Sequence, residues 1–228
     1  CPVRRRRRRL AMRAASGIDL TNFNGIAGDG TGQTVAIVDA YNAPTIRADL
    51  HTFDQEFGLS DPQLTIENQT GGSTLPGTDP AGQGFSWAME TSLDVEWVHA
   101  IAPGANILLV LANSSSNSDL EAAVKTASAG AGVSVVSMSF GGDESSGDLA
   151  TNSVYTTPAG HTGVTFVAST GDDGAYGTGG VTKVTQYPAA SPNVVAVGGT
   201  RLTLANGAYG SETGWGLGQS SGSLGGGG

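Results

Sequence analysis

The stretch Phe85-Ser86-Trp87-Ala88-Met89-Glu90-Thr91-Ser92-Leu93-Asp94-Val95-Glu96-Trp97-Val98-His99-Ala100 decides how the chain is read. It is followed by Ile101-Ala102-Pro103-Gly104 and the apolar run Asn106-Ile107-Leu108-Leu109-Val110-Leu111. The first part reads as a helix: Trp87, Leu93, Trp97 and Ala100 suit a packed helix, and Pro-Gly is a stop. The apolar run after it is a strand. Glu90 and Asp94 lie four apart, one turn from each other on one face. Aromatic flanks imply partial burial, and a buried pair of like charges relieves itself by sharing a proton. Proton-handling sites are built this way. Acidic pairs also occur on solvated helix faces, so the helix alone leaves both readings open.

Working outward, Gln33-Thr34-Val35-Ala36-Ile37-Val38-Asp39-Ala40 is an apolar run after a Gly-rich turn, the pattern of a buried parallel strand. A helix is expected from about 44 to 57, with Pro44 near its first turn. Leu64-Thr65-Ile66-Glu67 is a short strand, and residues 70–84 are a loop rich in Gly, Pro, Ser and Thr. A helix capped by Asn117-Ser118-Asp119 runs to about 129, ended by Gly130. Val133 to Phe140 and Gly163 to Ser169 are strands, with a weaker helix over about 147–160 between them. Asn193 to Gly198 is the last parallel strand. Arg201–Leu204 and Ala208–Thr213 form a hairpin around Asn206-Gly207, the strongest hairpin dipeptide. Only Trp215 offers the Gly/Ser tail an apolar anchor.

Strands alternating with helices make this an α/β fold, with a mostly parallel sheet and helices on both faces. Such folds place ligands beyond the carboxyl ends of the strands. Asp39, Ser139-Phe140-Gly141-Gly142 and Gly171-Asp172-Asp173-Gly174 all follow strands, so polar residues converge on one edge.

The 228 residues fit one large domain, and 38% hydrophobic content suffices for a core. The net charge of −9 hides an asymmetry. Seven of the 11 basic residues are Arg4 to Arg9 and Arg13, leaving residues 14–228 with 4 basic against 20 acidic residues. Such a body repels nucleic acid and loses most of its charge near pH 4, which fits tolerance of acid. Cys1, the sole cysteine, allows no internal disulfide. No apolar run reaches the roughly 18 residues of a membrane span, and the arginine run lacks the apolar segment of a signal peptide. Residues 1–16 are read as a basic linker or processing remnant, and 17–228 as the domain.

Several motifs, in order, resemble the sedolisins, serine-carboxyl peptidases with a subtilisin-like fold. Glu90 to Trp97 with Ala100-Ile101-Ala102-Pro103 looks like their acidic active-site helix. Val136-Ser137-Met138-Ser139-Phe140-Gly141 resembles the strand beside bound substrate, and Ala168-Ser169-Thr170-Gly171-Asp172-Asp173-Gly174 the oxyanion-hole loop. Tyr187-Pro188-Ala189-Ala190-Ser191-Pro192 with Val197-Gly198-Gly199-Thr200 is a further signature. The resemblance implies that Glu90 is general base for a serine, Asp94 orients Glu90, and Asp172 is the oxyanion-hole acid. Ser139, Phe140 and Gly141 would bind substrate through backbone, as an added strand. A carboxylate base suits acid pH, and an aspartic acid donates a hydrogen bond only when protonated. The resemblance further implies a secreted, extracellular, monomeric enzyme acting on peptides or proteins, with no nucleic-acid or membrane partner.

The sequence also departs from that family. The nucleophile is expected in a Ser-Gly-Thr-Ser segment, and Ser220, Ser221 and Ser223 lack that context. The family's calcium ligands lie near its C-terminus and are expected to be absent here. The chain is therefore read as a C-terminally truncated piece of an acid endopeptidase, inactive and marginally stable alone. The alternative is a catalytically dead peptide-binding fold. A nucleotide-binding reading needs Gly-x-Gly-x-x-Gly after the first strand, where Asp39-Ala40-Tyr41-Asn42 stands instead. Asp39 is expected to be a strand-end cap or loop acceptor, and His51, His99 and His161 surface or packing residues.

Overall fold

Apolar runs bounded by turns produce six parallel strands. The computed structural model describes residues 12–82, 86–177, 182–206 and 208–214. In it β1 (Asn22–Phe23) and β2 (Ile26–Ala27) form a small hairpin. The main sheet contains β3 (Thr34–Ala40), β4 (Leu64–Asn68), β5 (Asn106–Ala112), β6 (Val133–Met138), β8 (Thr165–Ser169) and β10 (Val194–Val197). The order across it is β10-β8-β6-β3-β5-β4, every pairing parallel. β7 (Gly142–Asp143) pairs with β9 (Gln186–Tyr187), and β11 (Thr200–Ala205) with β12 (Ala208–Gly214). Gly207 at the expected hairpin turn, Phe85 at the expected helix start, and Trp215, Ser220, Ser221 and Ser223 lie outside the described residues.

Among the described residues the α-helices that cover the sheet are α1 (Ile46–Phe57), α2 (Trp87–Ile101) and α3 (Asn117–Ser128). Successive side chains of a strand point to opposite faces, and the two cores follow that alternation. Ala36, Val38, Leu108 and Val110 pack with Leu120, Ala123 and Val124 of α3. Ile37, Ile107, Leu109 and Leu111 pack with Ile46 and Leu50 of α1 and Val95 of α2. The helices thus lie on both faces, as the alternating pattern requires.

Three local expectations differ. The weak helix over 147–160 is a 3-10 helix, Asp148–Tyr155. The strand expected to reach Phe140 leaves the sheet after Met138. Leu93 and Trp97 are not packed: with Met89 they form a stripe spaced by four residues, 49%, 45% and 49% exposed. The buried face of α2 is Thr91, Val95 and His99, also spaced by four, because that row faces the sheet and α1. Arg13, from the basic N-terminal segment, is buried. It pairs with Asp19 at 2.7 Å and donates to the Ile101 carbonyl at the end of α2.

Leu109 is wholly buried in the middle of the sheet. Leu109→Ala is expected to destabilise the fold by about 2–5 kcal/mol, the cost of lost transfer energy plus a cavity. Denaturant unfolding measures it, and a loss under about 1 kcal/mol would contradict this packing.

Candidate active site

The ends of β3, β6 and β8 lie on the same edge because the strands are parallel, and α2 crosses that edge on the α1 side of the sheet. Its first turn carries Glu90, and Asp94 follows one turn later. Ser139, the first residue after β6, donates from its Oγ to Asp94 Oδ1 at 2.9 Å. The segment expected to bind substrate is therefore tied to the acidic helix by a hydrogen bond.

Burial pushes the Glu90 carboxyl upward. The nearby charges of Asp94 and Asp172 add to that, and the Ser139 hydroxyl opposes it. Burial raises Asp94 to about 6 despite its bond from Ser139. Asp94 Oδ2 is buried without a hydrogen-bond partner. A neutral carboxyl suits that position better than a charged one. Asp172, exposed on the loop after β8, is close enough for its charge to act on Glu90. The structure thus brings Glu90, Asp94, Ser139 and Asp172 together from three separate parts of the chain.

The Asp172 loop depends on one glycine. Gly171 has φ +89°, and a Cβ there would lie 2.9 Å from Gln186 Cγ. Only glycine meets both demands without strain. Thr170 anchors the loop by donating its N–H to the Val197 carbonyl at 3.1 Å.

Asp39 departs from its expected role as a cap or loop acceptor. It is 0% exposed, and neither carboxylate oxygen has a hydrogen-bond partner. It shares the strand parity of Ile37 and so points to the α1/α2 side. Burial raises it well above the ordinary range, and the charges of Asp94 and Glu90 raise it further. Thr91 stands close by, but its hydroxyl donates to the Trp87 carbonyl at 2.8 Å. Asp39, Asp94 and Glu90 therefore form a row of carboxyl groups that cannot all be charged. Asp39 is the site residue that sequence reasoning set aside. Its signal was a lone acid on the inward parity of an otherwise apolar strand.

The histidines take other places. His99 is buried, its Nε2 3.0 Å from the Ser60 carbonyl and 3.3 Å from Asp54. Asp54 is raised to about 7, first by burial and then by Asp61. His51 pairs with Asp61 at 2.9 Å on the exposed side of α1. Among the described residues no three His, Cys, Asp or Glu side chains gather as a metal-binding group. No described helix is long and apolar enough to cross a membrane.

This arrangement defines a class. The model of the subtilase family matches residues 30–221, and the chain belongs to that family. Within it the chain is similar to kumamolisin of Bacillus sp. strain MN-32, at 35% identity over 206 residues, covering 87% of this chain and 36% of that protein. It is also similar to sedolisin of Pseudomonas sp. strain 101, at 33% identity over 228 residues, covering 90% of this chain and 38% of that protein. A solved structure of Pseudomonas sedolisin, a serine-carboxyl proteinase complexed with two molecules of pseudo-iodotyrostatin, superposes with a TM-score of 0.71 at 30% identity. The match covers 87% of this chain and 57% of that one. The chain thus spans little more than a third of the length of the two curated relatives.

The raised acids make stability depend on pH in a stated direction. Asp94 and Asp54 titrate at about 6 and 7 when folded, against 3.8 for an ordinary aspartate. Their contribution is fully present below pH 3.8 and is lost as pH rises through those folded values. Asp29 and Asp119 are held low by hydrogen bonds and act oppositely, but they are too exposed to weigh much. The melting temperature is therefore expected to fall between about pH 4 and pH 7.5, and Asp39→Asn to raise it at the upper end by several degrees. Calorimetry at several pH values tests this. A midpoint that climbs with pH would show these acids to be solvated.

Proposed function

We propose that this chain is the acid-handling part of a serine-carboxyl endopeptidase, completed by a nucleophilic serine beyond residue 228. The observation that carries the reading is the grouping of Asp94 and Asp172 around Glu90, with Ser139 bonded to Asp94. The likeness to kumamolisin and sedolisin supports it over a binding-only fold.

Glu90 acts as general base, taking the proton of the serine hydroxyl as it attacks the peptide carbonyl. Asp94 holds Glu90 in place and spreads the proton load, with Asp39 behind it as a positioning residue. The negative charge that develops on the carbonyl oxygen needs a donor, and Asp172 supplies it when protonated. Glu90 returns its proton to the leaving amine as general acid. The substrate backbone pairs with Ser139, Phe140 and Gly141 as an added strand. One group must be charged and another neutral, so the rate follows a bell-shaped pH profile on the acid side of neutrality. The implied setting is extracellular, with protein or peptide substrates. The domain is taken as 17–228, preceded by a basic segment over 1–16.

The complete polypeptide is expected to cleave denatured protein near pH 4. Glu90→Gln, Asp94→Asn and Asp172→Ala should each lower kcat by about 10²–10⁴-fold. Melting curves would show the variants folded. Retention of parental kcat by Glu90→Gln or Asp172→Ala would refute these roles.

A further inference from the structure

A second concavity lies beside the catalytic edge, on the opposite, α3 face of the sheet. Its volume is about 310 Å³, enough for one long side chain rather than a large ligand. Four aromatic rings wall it, from Trp87, Phe140, Tyr155 and Tyr187. Tyr155 and Tyr187 meet edge to face, centroids 5.7 Å apart. Tyr155 is buried, and its other edge contact is with Phe166 in the core at 6.1 Å, so this wall is rigid. The Tyr187 hydroxyl is held 2.9 Å from Thr151 Oγ1.

Glu121, from α3, Asp143, on β7, and Asp148, at the start of the 3-10 helix, also line the cavity, and among the described residues no lysine or arginine does. Burial raises both tyrosines, and the charges of Glu121 and Asp148 raise both further. The two carboxylates thus act on the same two rings. The N-terminus of α3 at the rim would attract an anion, but it is already occupied. Ser116 Oγ accepts from the Asp119 N–H, and the Asp119 carboxylate sits in that first turn.

Phe140 and Gly141 both line the cavity and continue from Ser139 at the acids. A peptide laid along them sends alternate side chains to alternate sides. We infer that this aromatic cavity receives a cationic side chain, arginine or lysine, of a peptide substrate at a position removed from the scissile bond. Aromatic faces attract a cation by their quadrupole, and Glu121, Asp143 and Asp148 supply the countercharge. The inference rests on the proposed role of residues 139–141 in docking an extended peptide, and it adds a substrate class to that reading.

The test measures binding without cleavage. Acetylated alanine hexapeptides with one arginine walked through each position are compared with partners carrying citrulline, its neutral isostere. The protein is the complete polypeptide with Glu90→Gln to block turnover. At one position the arginine peptide is expected to bind about tenfold more tightly. With Glu121→Gln, Asp143→Asn and Asp148→Asn combined, that preference should fall to within about twofold, while the citrulline peptide binds as before. The citrulline control separates lost charge recognition from a damaged fold. Equal affinity for both peptides at every position, or a preference that survives in the variant, overturns the assignment and leaves the peptidase reading standing. Failure of every peptide to bind would remove the docking role of residues 139–141 and this inference with it. Binding with the expected preference in a protein that never hydrolyses peptide would leave the inference standing and remove the peptidase reading.

Discussion

The middle strands of the sheet are covered on both faces, and the site depends on that constraint. β3 lies between β5 and β6 with helices above and below, so none of its inner positions reaches water. An aspartate at its sixth residue must be buried whichever way it points. The parity of the strand sends Asp39 toward α2, where Asp94 and Glu90 already stand. Three carboxyl groups thus meet where the dielectric is low and charge is costly. The proton they retain is a consequence of the packing.

Such a site costs stability near neutral pH, and the fold carries the cost elsewhere. Core residues on both faces, from Val38 and Val110 to Ile37 and Leu109, are wholly buried. The acids sit at the edge where the strands end, so the apolar layers beneath them are uninterrupted. The same placement favours the neutral form of these groups: burial raises Asp94 to about 6 and pushes Glu90 and Asp39 upward. Surface composition points the same way: residues 14–228 carry few basic groups to pair with their carboxylates. Protonation therefore relieves repulsion on the surface and in the site together.

In the proposed function the two sides of the sheet serve different parts of one task. On the α1/α2 side the carboxyl groups gather beside Ser139. On the α3 side the same segment continues as Phe140 and Gly141 into an aromatic cavity. One short stretch after β6 links the proposed chemistry to the proposed recognition. The segment leaves the sheet at Met138, so Ser139 to Gly141 are free of sheet pairing with β8. A strand that ran on to Phe140 would have used those backbone groups within the sheet.

Much of this was legible in the sequence. Apolar runs separated by helical segments dictate a parallel sheet covered on both faces, since only that arrangement buries them all. The spacing of Glu90 and Asp94 places both on one helical face by backbone geometry alone, and motif likeness pointed to Asp172. Other features depended on tertiary contacts. Leu93 and Trp97 read as core residues, but which row of α2 faces the sheet is set by docking against β3 and α1, and that row is Thr91, Val95 and His99. Asp39 looked like a strand-end acceptor. Its role emerges only when residues some fifty positions later are laid across it, because burial and neighbouring charge are properties of the assembled layers. Pattern determined which elements form. Which side chains share a site was decided by how those elements pack.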